Sequence, residues 1–100
     1  MANIFSLTIE PEALVDIQNA IDYYNSCQSG LGKRFYKAIE VNFALLQKQY
    51  FSFAVRYDDV RCMKIKTFPY MIHYRVSELE KQVSVKAVLC TFDNPEKWSK

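Results

Sequence analysis

The apolar positions near the amino terminus change from a strand period to a helix period. Residues 3–9 alternate apolar and polar side chains, which predicts a short half-buried strand. Pro11 follows, and proline suits the first turn of a helix because its missing N–H is not needed there. Apolar residues then recur every three or four positions over residues 12–27, which predicts an amphipathic helix. They are Leu14, Ile17, Ile21 and Tyr24.

A second helical pattern begins after two closely spaced glycines. Gly30 and Gly32 interrupt the first pattern, and glycine readily adopts the left-handed conformation that ends a helix. Residues 33–49 then predict a second amphipathic helix. Its buried stripe is Phe35, Ile39, Phe43 and Leu46. Because the link is so short, the two helices should form an antiparallel hairpin.

The second half of the chain returns to strand patterns. Residues 50–59 show no clear period, and we expect a loop there. Three strands are predicted over residues 60–67, 70–77 and 82–90, separated by Phe68-Pro69 and by a polar hairpin loop. The predicted fold class is α+β, with an N-terminal strand, an antiparallel helical hairpin and a three-stranded antiparallel meander. We expect residues 1–100 to form a single domain.

Composition and charge exclude several classes of protein. Half of the residues are apolar and fifteen are aromatic, which argues against disorder. The net charge is +2, divided as −1 for residues 1–50 and +3 for residues 51–100, far below that of a dedicated nucleic-acid binder. Three cysteines without CxxC spacing and one histidine do not make a zinc site, and we expect no metal and no cofactor. Without a signal peptide or membrane-length apolar run, we expect a cytoplasmic protein with reduced thiols.

Three segments together resemble the RelE/ParE superfamily of bacterial toxins. The first is Ala20-Ile21-Asp22-Tyr23-Tyr24 followed by Gly30-Leu31-Gly32-Lys33-Arg34-Phe35. The second comprises Val60-Arg61, Lys64-Ile65-Lys66-Thr67-Phe68-Pro69-Tyr70 and Ile72-x-Tyr74-Arg75-Val76. The third is Val85-x-Ala87-Val88-Leu89, ending in Asn94-Pro95-Glu96-Lys97-Trp98. Each motif alone is unspecific, but their order and spacing across residues 13–98 are similar to ParE-type toxins.

The fold implied by this resemblance is an antiparallel sheet with the helical hairpin on one face. Strict alternation along the strands then assigns every residue to a face. The helix side would hold Met63, Ile65, Tyr70, Ile72, Tyr74, Val76, Val83, Val85, Ala87 and Leu89. The open face would hold Lys64, Lys66, Met71, His73, Arg75, Ser84, Lys86, Val88 and Cys90. We expect a core that includes Ile17, Ile21, Phe35, Ile39, Phe43, Ile65, Ile72, Tyr74, Val85 and Leu89.

Two toxin mechanisms follow from the resemblance, and the residues discriminate between them. RelE-type toxins cleave messenger RNA on the ribosome with clustered basic side chains, which stabilise charge developing on the phosphate. Lys64 and Lys66 match that cluster, and His73 and Arg75 are further catalytic candidates. However, Met71 and Asp93 stand where basic residues are expected, and Cys90 stands where a histidine is common. The catalytic cluster is therefore incomplete.

Simpler structural roles exist for most of these candidates. Lys64 and Lys66 are also ordinary charges for an exposed strand face. His73 lacks a titratable partner at fixed spacing, so we expect an exposed sheet histidine. Cys90 is expected to be a small buried or half-buried thiol. Trp98 could pack the C-terminus onto the sheet or, with Phe51, Phe53 and Tyr57, mark a protein-binding surface.

The resemblance implies a ParE-like toxin of a type II toxin–antitoxin module. Its partner would be a cognate antitoxin, and its target could be DNA gyrase, which several ParE-type toxins poison by protein contact. The alternatives are a RelE-like nuclease acting on ribosome-bound mRNA and a non-toxic orphan. We expect a binding surface formed by Lys64, Lys66, Arg75, Lys86 and Trp98, in which basic side chains attract acidic groups.

Overall fold

A computed structural model describes residues 5–91, which form two helices and a five-stranded sheet. In chain order the elements are β1 (Ser6–Ile9), α1 (Pro11–Cys27), α2 (Leu31–Gln49), a 3₁₀ turn (Tyr50–Ser52), β2 (Val55–Tyr57), β3 (Val60–Lys64), β4 (Tyr70–Ser77) and β5 (Gln82–Cys90). The α+β class, the N-terminal strand, the helical hairpin and the three predicted strands are confirmed. Within residues 5–91, neither helix combines the length and apolar character needed to cross a membrane.

The sheet is mixed, whereas the family resemblance implied an antiparallel one. Its strand order is β1-β5-β4-β3-β2, and β1 lies at one edge, parallel to β5. The strands β2 to β5 are antiparallel neighbours. The parallel pairing involves Ser6–Ile9 and residues 82–85 only. Beyond it, the Asp16 carboxylate of α1 accepts a hydrogen bond from the Val88 N–H at 3.1 Å, so α1 covers this part of the sheet edge.

The helical hairpin depends on both glycines, for different reasons. Gly30 immediately precedes α2 and has a φ of 87°. This is the left-handed conformation that the sequence predicted at this link. Gly32 lies where the two helices meet. Its N–H donates to Asn25 Oδ1 at 2.9 Å, and a β-carbon at Gly32 would lie 2.6 Å from the Ile21 carbonyl oxygen.

The core fills the space between the hairpin and one face of the sheet. Eight of the ten predicted core residues are buried: Ile17, Phe35, Ile39, Phe43, Ile65, Ile72, Tyr74 and Val85. Ile21 is half-buried and packs against this cluster. An aromatic group at one end of the hairpin links helix and sheet, because the Phe35 ring lies 5.2 Å from Phe68 and 5.1 Å from Tyr70.

The prediction for Leu89 is wrong, because β5 contains a bulge. Cys90 to Ala87 pair with Tyr70 to His73 in one register, but Tyr74 pairs with Val85, which leaves Lys86 as an extra residue. The bulge reverses the alternation beyond it. Val88 therefore faces the core, with 2% of its surface exposed, and Leu89 pairs with Met71 on the other face. Ala87 moves to that face for the same reason.

The predicted loop at residues 50–59 is also wrong. It contains the 3₁₀ turn and β2, which pairs with β3 through a two-residue turn at Asp58 and Asp59. Hydrogen bonds tie this segment to the sheet: Tyr74 Oη donates to the Tyr50 carbonyl at 2.9 Å, and Arg61 donates to the Phe53 carbonyl at 2.8 Å. Side chains of β3 and β4 therefore hold the backbone of this segment against the sheet.

Candidate functional site

The sheet face opposite the helices carries most of the candidate residues, and we call it the open face. Its members are Arg56, Tyr57, Cys62, Lys64, Met71, His73, Arg75, Lys86 and Leu89. Cys62 pairs with His73, and Lys64 pairs with Met71, so each pair projects from the same side of β3 and β4. Met63 pairs with Ile72 between them, and both belong to the core on the helix side.

The β2–β3 hairpin brings Arg56 and Tyr57 to this face. Asp58 and Asp59 have φ values of 43° and 56°, as expected for the type I′ turn that suits the twist of a two-residue hairpin. Aspartate tolerates positive φ better than most residues. Asp59 also forms an ion pair with Arg75 at 2.8 Å, which links the hairpin to β4.

A buried polar cluster lies at the centre of the open face. His73 Nδ1 is 2.9 Å from the Tyr57 hydroxyl oxygen and 3.4 Å from Cys62 Sγ. His73 is completely buried, and 6% of the Cys62 surface is exposed. The expected exposed histidine is therefore wrong. The physical reason is that β2, which the sequence did not predict, places Tyr57 beside the imidazole.

Burial holds all three groups of this cluster in their neutral forms, and nearby positive charges add to the effect at His73. Desolvation, together with the charges of Lys86 and Arg56, lowers the pKa of His73 to about 4. Desolvation raises the pKa of Tyr57 to about 12, and burial likewise raises the pKa of the Cys62 thiol. At neutral pH, all three groups are therefore uncharged, and the thiol is not a thiolate nucleophile.

The bulge gives Lys86 a defined place beside this cluster. Its ammonium lies 5.3 Å from the centre of the Tyr57 ring, within the range of a cation–π contact. Lys86 is half-buried, and it is the charge with the largest effect on His73. The extra residue in β5 therefore supplies a cation to the centre of the face.

The structure separates the basic residues that the sequence placed together. Lys64 is exposed at the end of β3, and Arg75 is paired with Asp59. Lys66 follows the end of β3 and lines a groove against α2, so the strand alternation that put it on the open face does not extend to it. Trp98 and Asp93 lie outside the described residues. Cys90 is a half-buried free thiol, as expected, but the bulge pairs it with Tyr70 on the helix side, so its expected place on the open face is wrong.

Sequence reasoning missed Arg56, Tyr57 and Cys62 as members of this face. One signal was available: Val55 and Tyr57 on one side of Asp58-Asp59, and Val60 and Cys62 on the other, form the alternation of a tight hairpin. Within residues 5–91, no group of three or more histidine, cysteine or acidic residues could hold a metal ion.

Comparisons with known proteins agree with this architecture. The family model described as "ParE toxin of type II toxin-antitoxin system, parDE" matches residues 7–95, most of the chain. Nine chains of solved structures match. One, described as "Chromosomal ParDE TA system from P. aeruginosa", is 20% identical with a TM-score of 0.72, and the match covers 89% of this chain and 98% of that chain. No curated protein sequence matches.

Proposed function

Because the chain belongs to the family of ParE toxins of type II toxin–antitoxin systems, we propose that it arrests growth by protein–protein contact and that a cognate antitoxin neutralises it. One observation carries the mechanism. The only histidine of the chain is sealed inside a neutral cluster, where it can neither donate nor accept a proton from a bound substrate.

The dispersal of the basic residues supports the same proposal. Cleavage of RNA requires several cations to converge on one phosphate. Arg75 of the open face is paired with Asp59, whereas Lys66 lies off that face, in the groove against α2. Met71 pairs with Lys64 at the position where a RelE-type nuclease is expected to carry a basic residue. A surface of this kind is suited to contact rather than to catalysis.

Antitoxin binding is proposed on the open face, at Lys64, Arg75 and Lys86. These cations surround a half-buried apolar area that includes Met71 and Leu89, and such areas commonly mark protein partners. Trp98 is proposed to extend the same surface. Inducing the protein alone and together with its antitoxin tests whether the chain is a toxin that the antitoxin neutralises. We expect growth arrest in the first culture and rescue in the second, and normal growth of both would contradict it.

DNA gyrase is the proposed target, and the support for it is the ParE-type resemblance. Purified protein added to a gyrase supercoiling reaction should inhibit the enzyme, and added antitoxin should reverse the inhibition. Growth arrest in cells combined with full supercoiling activity at excess protein would exclude gyrase. It would leave the contact mechanism standing with a different protein as target.

A further inference from the structure

The helical hairpin has an outer face on the side of the molecule opposite the open face. Both helices pack their buried stripes towards the sheet, so their other sides point away from it. We call this outer surface the hairpin face. It is defined by six exposed residues: Leu14 and Asp22 of α1, and Lys33, Tyr36, Glu40 and Ala44 of α2.

A groove with apolar walls runs between the two helices on this face. Its volume is about 360 Å³, and the core residues Ile17, Ile39 and Phe43 are among those that line it. Leu14 and Tyr36 line it too, although 53% and 47% of their surfaces are exposed. Large apolar side chains that stay exposed beside an apolar groove are typical of a surface that contacts another protein.

The two helices of the hairpin carry opposite charge. Every charged residue of α1 is acidic, which gives a formal charge of −3: Glu12, Asp16 and Asp22. Four basic residues and one acidic residue give α2 a formal charge of +3: Lys33, Arg34, Lys37 and Lys48, with Glu40. Within residues 5–91 the one ion pair joins Arg75 to Asp59, so the charges of the two helices do not pair with each other.

This division of charge favours a second copy of the chain over other ligands. The acidic helix would repel the phosphates of a nucleic acid and the headgroups of an anionic membrane. A protein surface of one sign would be attracted by one helix and repelled by the other. A second copy related by a two-fold axis parallel to the helices avoids both penalties, because α1 of each copy then lies on α2 of the other.

The packing of the hairpin sets which residues would meet across such an axis. The carbonyl oxygen of the residue before Asp22 lies against the residue before Lys33, so Asp22 and Lys33 are level with each other. Leu14 and Ala44 line the same groove nearer its other end. We infer that the hairpin face binds the hairpin face of a second copy, with Leu14 packed on Ala44 and Asp22 beside Lys33 of the other copy.

The size of the hairpin face suits a reversible dimer. A helix rises about 1.5 Å per residue, so the 17 residues of α1 span about 25 Å. Two helices packed about 10 Å apart make the face roughly 20 Å wide. Pairing would cover on the order of 500 Å² of each copy, about 1,000 Å² in total, which is at the lower limit of specific interfaces. We therefore expect a dimer that dissociates on dilution.

Sedimentation of the purified full chain, without antitoxin, tests the apolar half of this contact. Wild type should convert from dimer to monomer over a dilution series. Leu14→Glu places a carboxylate in the contact and should raise the dimer dissociation constant at least about tenfold. Leu79→Glu is the matched control, because Leu79 is 96% exposed in the turn between β4 and β5 and should leave the dimer unchanged. Melting curves identify any variant that has lost its fold.

Two charge reversals test the orientation of the copies. Asp22→Lys and Lys33→Asp should each weaken self-association, because each places like charges opposite one another. Mixing these two variants should give a heterodimer that is tighter than either homodimer, since every reversed charge then meets its opposite. The preference should shrink as salt rises. Lys64→Asp, on an exposed residue of β3, is the control and should form no preferred heterodimer with Asp22→Lys.

Three results would overturn the inference. They are a wild-type monomer at every concentration, a dimer that Leu14→Glu leaves intact, and a mixture of the two charge variants that shows no preference for the heterodimer. The inference goes beyond the proposed function, and its tests use neither antitoxin nor gyrase. Failure of the dimer therefore leaves the proposed toxin function standing, and failure of that function leaves the dimer standing.

Discussion

At the scale of single residues, burial sets the protonation state of His73 on the open face. In water the imidazole of His73 would have a pKa near 6.5, but burial, with the charges of Lys86 and Arg56, lowers that pKa to about 4 and holds the ring neutral. A group whose pKa is lowered by folding binds fewer protons in the folded state than in the unfolded state. Protonation in the unfolded chain therefore opposes folding as the pH falls.

The resulting prediction is a stability loss between pH 6.5 and about 4. The free energy of unfolding should be insensitive to His73 above pH 6.5 and should fall below it, by on the order of 3 kcal/mol in total. Urea titrations of wild type and of His73→Gln, compared at each pH, measure this contribution. If the two proteins lost stability in parallel over this range, the imidazole would not be held neutral.

The sequence could not predict this residue-scale arrangement, although it predicted the residues of the core well. Ile39 and Ile72 lie in long, regular patterns, and their burial follows from the pattern alone. The state of His73 depends on a neighbour sixteen residues away along the chain, in a three-residue strand whose brief hairpin pattern does not show which side chain Tyr57 will contact. The local pattern therefore predicted which residues of the regular elements are buried. The contacts around His73 depend on which strands pair, and the local pattern does not contain that information.

At the scale of elements, the two glycines that link the helices should differ in how much stability is lost when each is replaced by alanine. Gly30→Ala should cost about 1 kcal/mol, because its positive φ strains an alanine but its surroundings are open. Gly32→Ala should cost more, since its β-carbon would meet the backbone of Ile21 and the side chain of Asn25. Thermal unfolding of both variants ranks them, and equal losses would show that the helices separate freely at this point.

Because of the bulge in β5, we expect truncation of Val88 to destabilise the protein more than truncation of Leu89. Strict alternation along the strand would predict the opposite order. Val88→Ala removes a core side chain and should cost about 2 kcal/mol. Leu89→Ala removes a larger but half-buried side chain from the open face and should cost less. Chemical denaturation of the two variants measures the free energy of unfolding that each has lost. A larger loss for Leu89→Ala would restore the alternation that the sequence predicted.

The sequence contained no sign of this bulge, because an extra residue leaves the strand pattern intact on both sides. Val83 and Val85 match the core in one register, and Val88 matches it in the other. By contrast, the helices were predicted almost to their ends. Their apolar stripes, Pro11 and the glycine link all indicate the same boundaries.

At the scale of the whole molecule, charge and apolar surface are divided between two sides. Lys64 and Lys86 lie on the open face, and Lys33, Lys37 and Lys66 line the groove between α2 and the segment that follows β3. The two sides therefore carry separate positively charged surfaces.

The exposed charge of Lys64 on the open face leads to a prediction about the rate of antitoxin association. Lys64→Glu should slow antitoxin association several-fold at low salt and change dissociation less, because an exposed charge acts mainly by steering the encounter. Stopped-flow or surface-based kinetics at low and high salt would measure both rates. An association rate that ignored this charge reversal at every salt concentration would remove Lys64 from the antitoxin surface.

The most direct test of a contact mechanism is to map messenger RNA ends in cells after induction of the protein without its antitoxin. We predict growth arrest with no excess of ribosome-dependent cleavage over cells that carry an empty vector. Cleavage at ribosomal A sites, abolished by Lys64→Ala or His73→Gln in a folded protein, would contradict the account. It would show that the neutral cluster and dispersed cations of the open face perform catalysis after all.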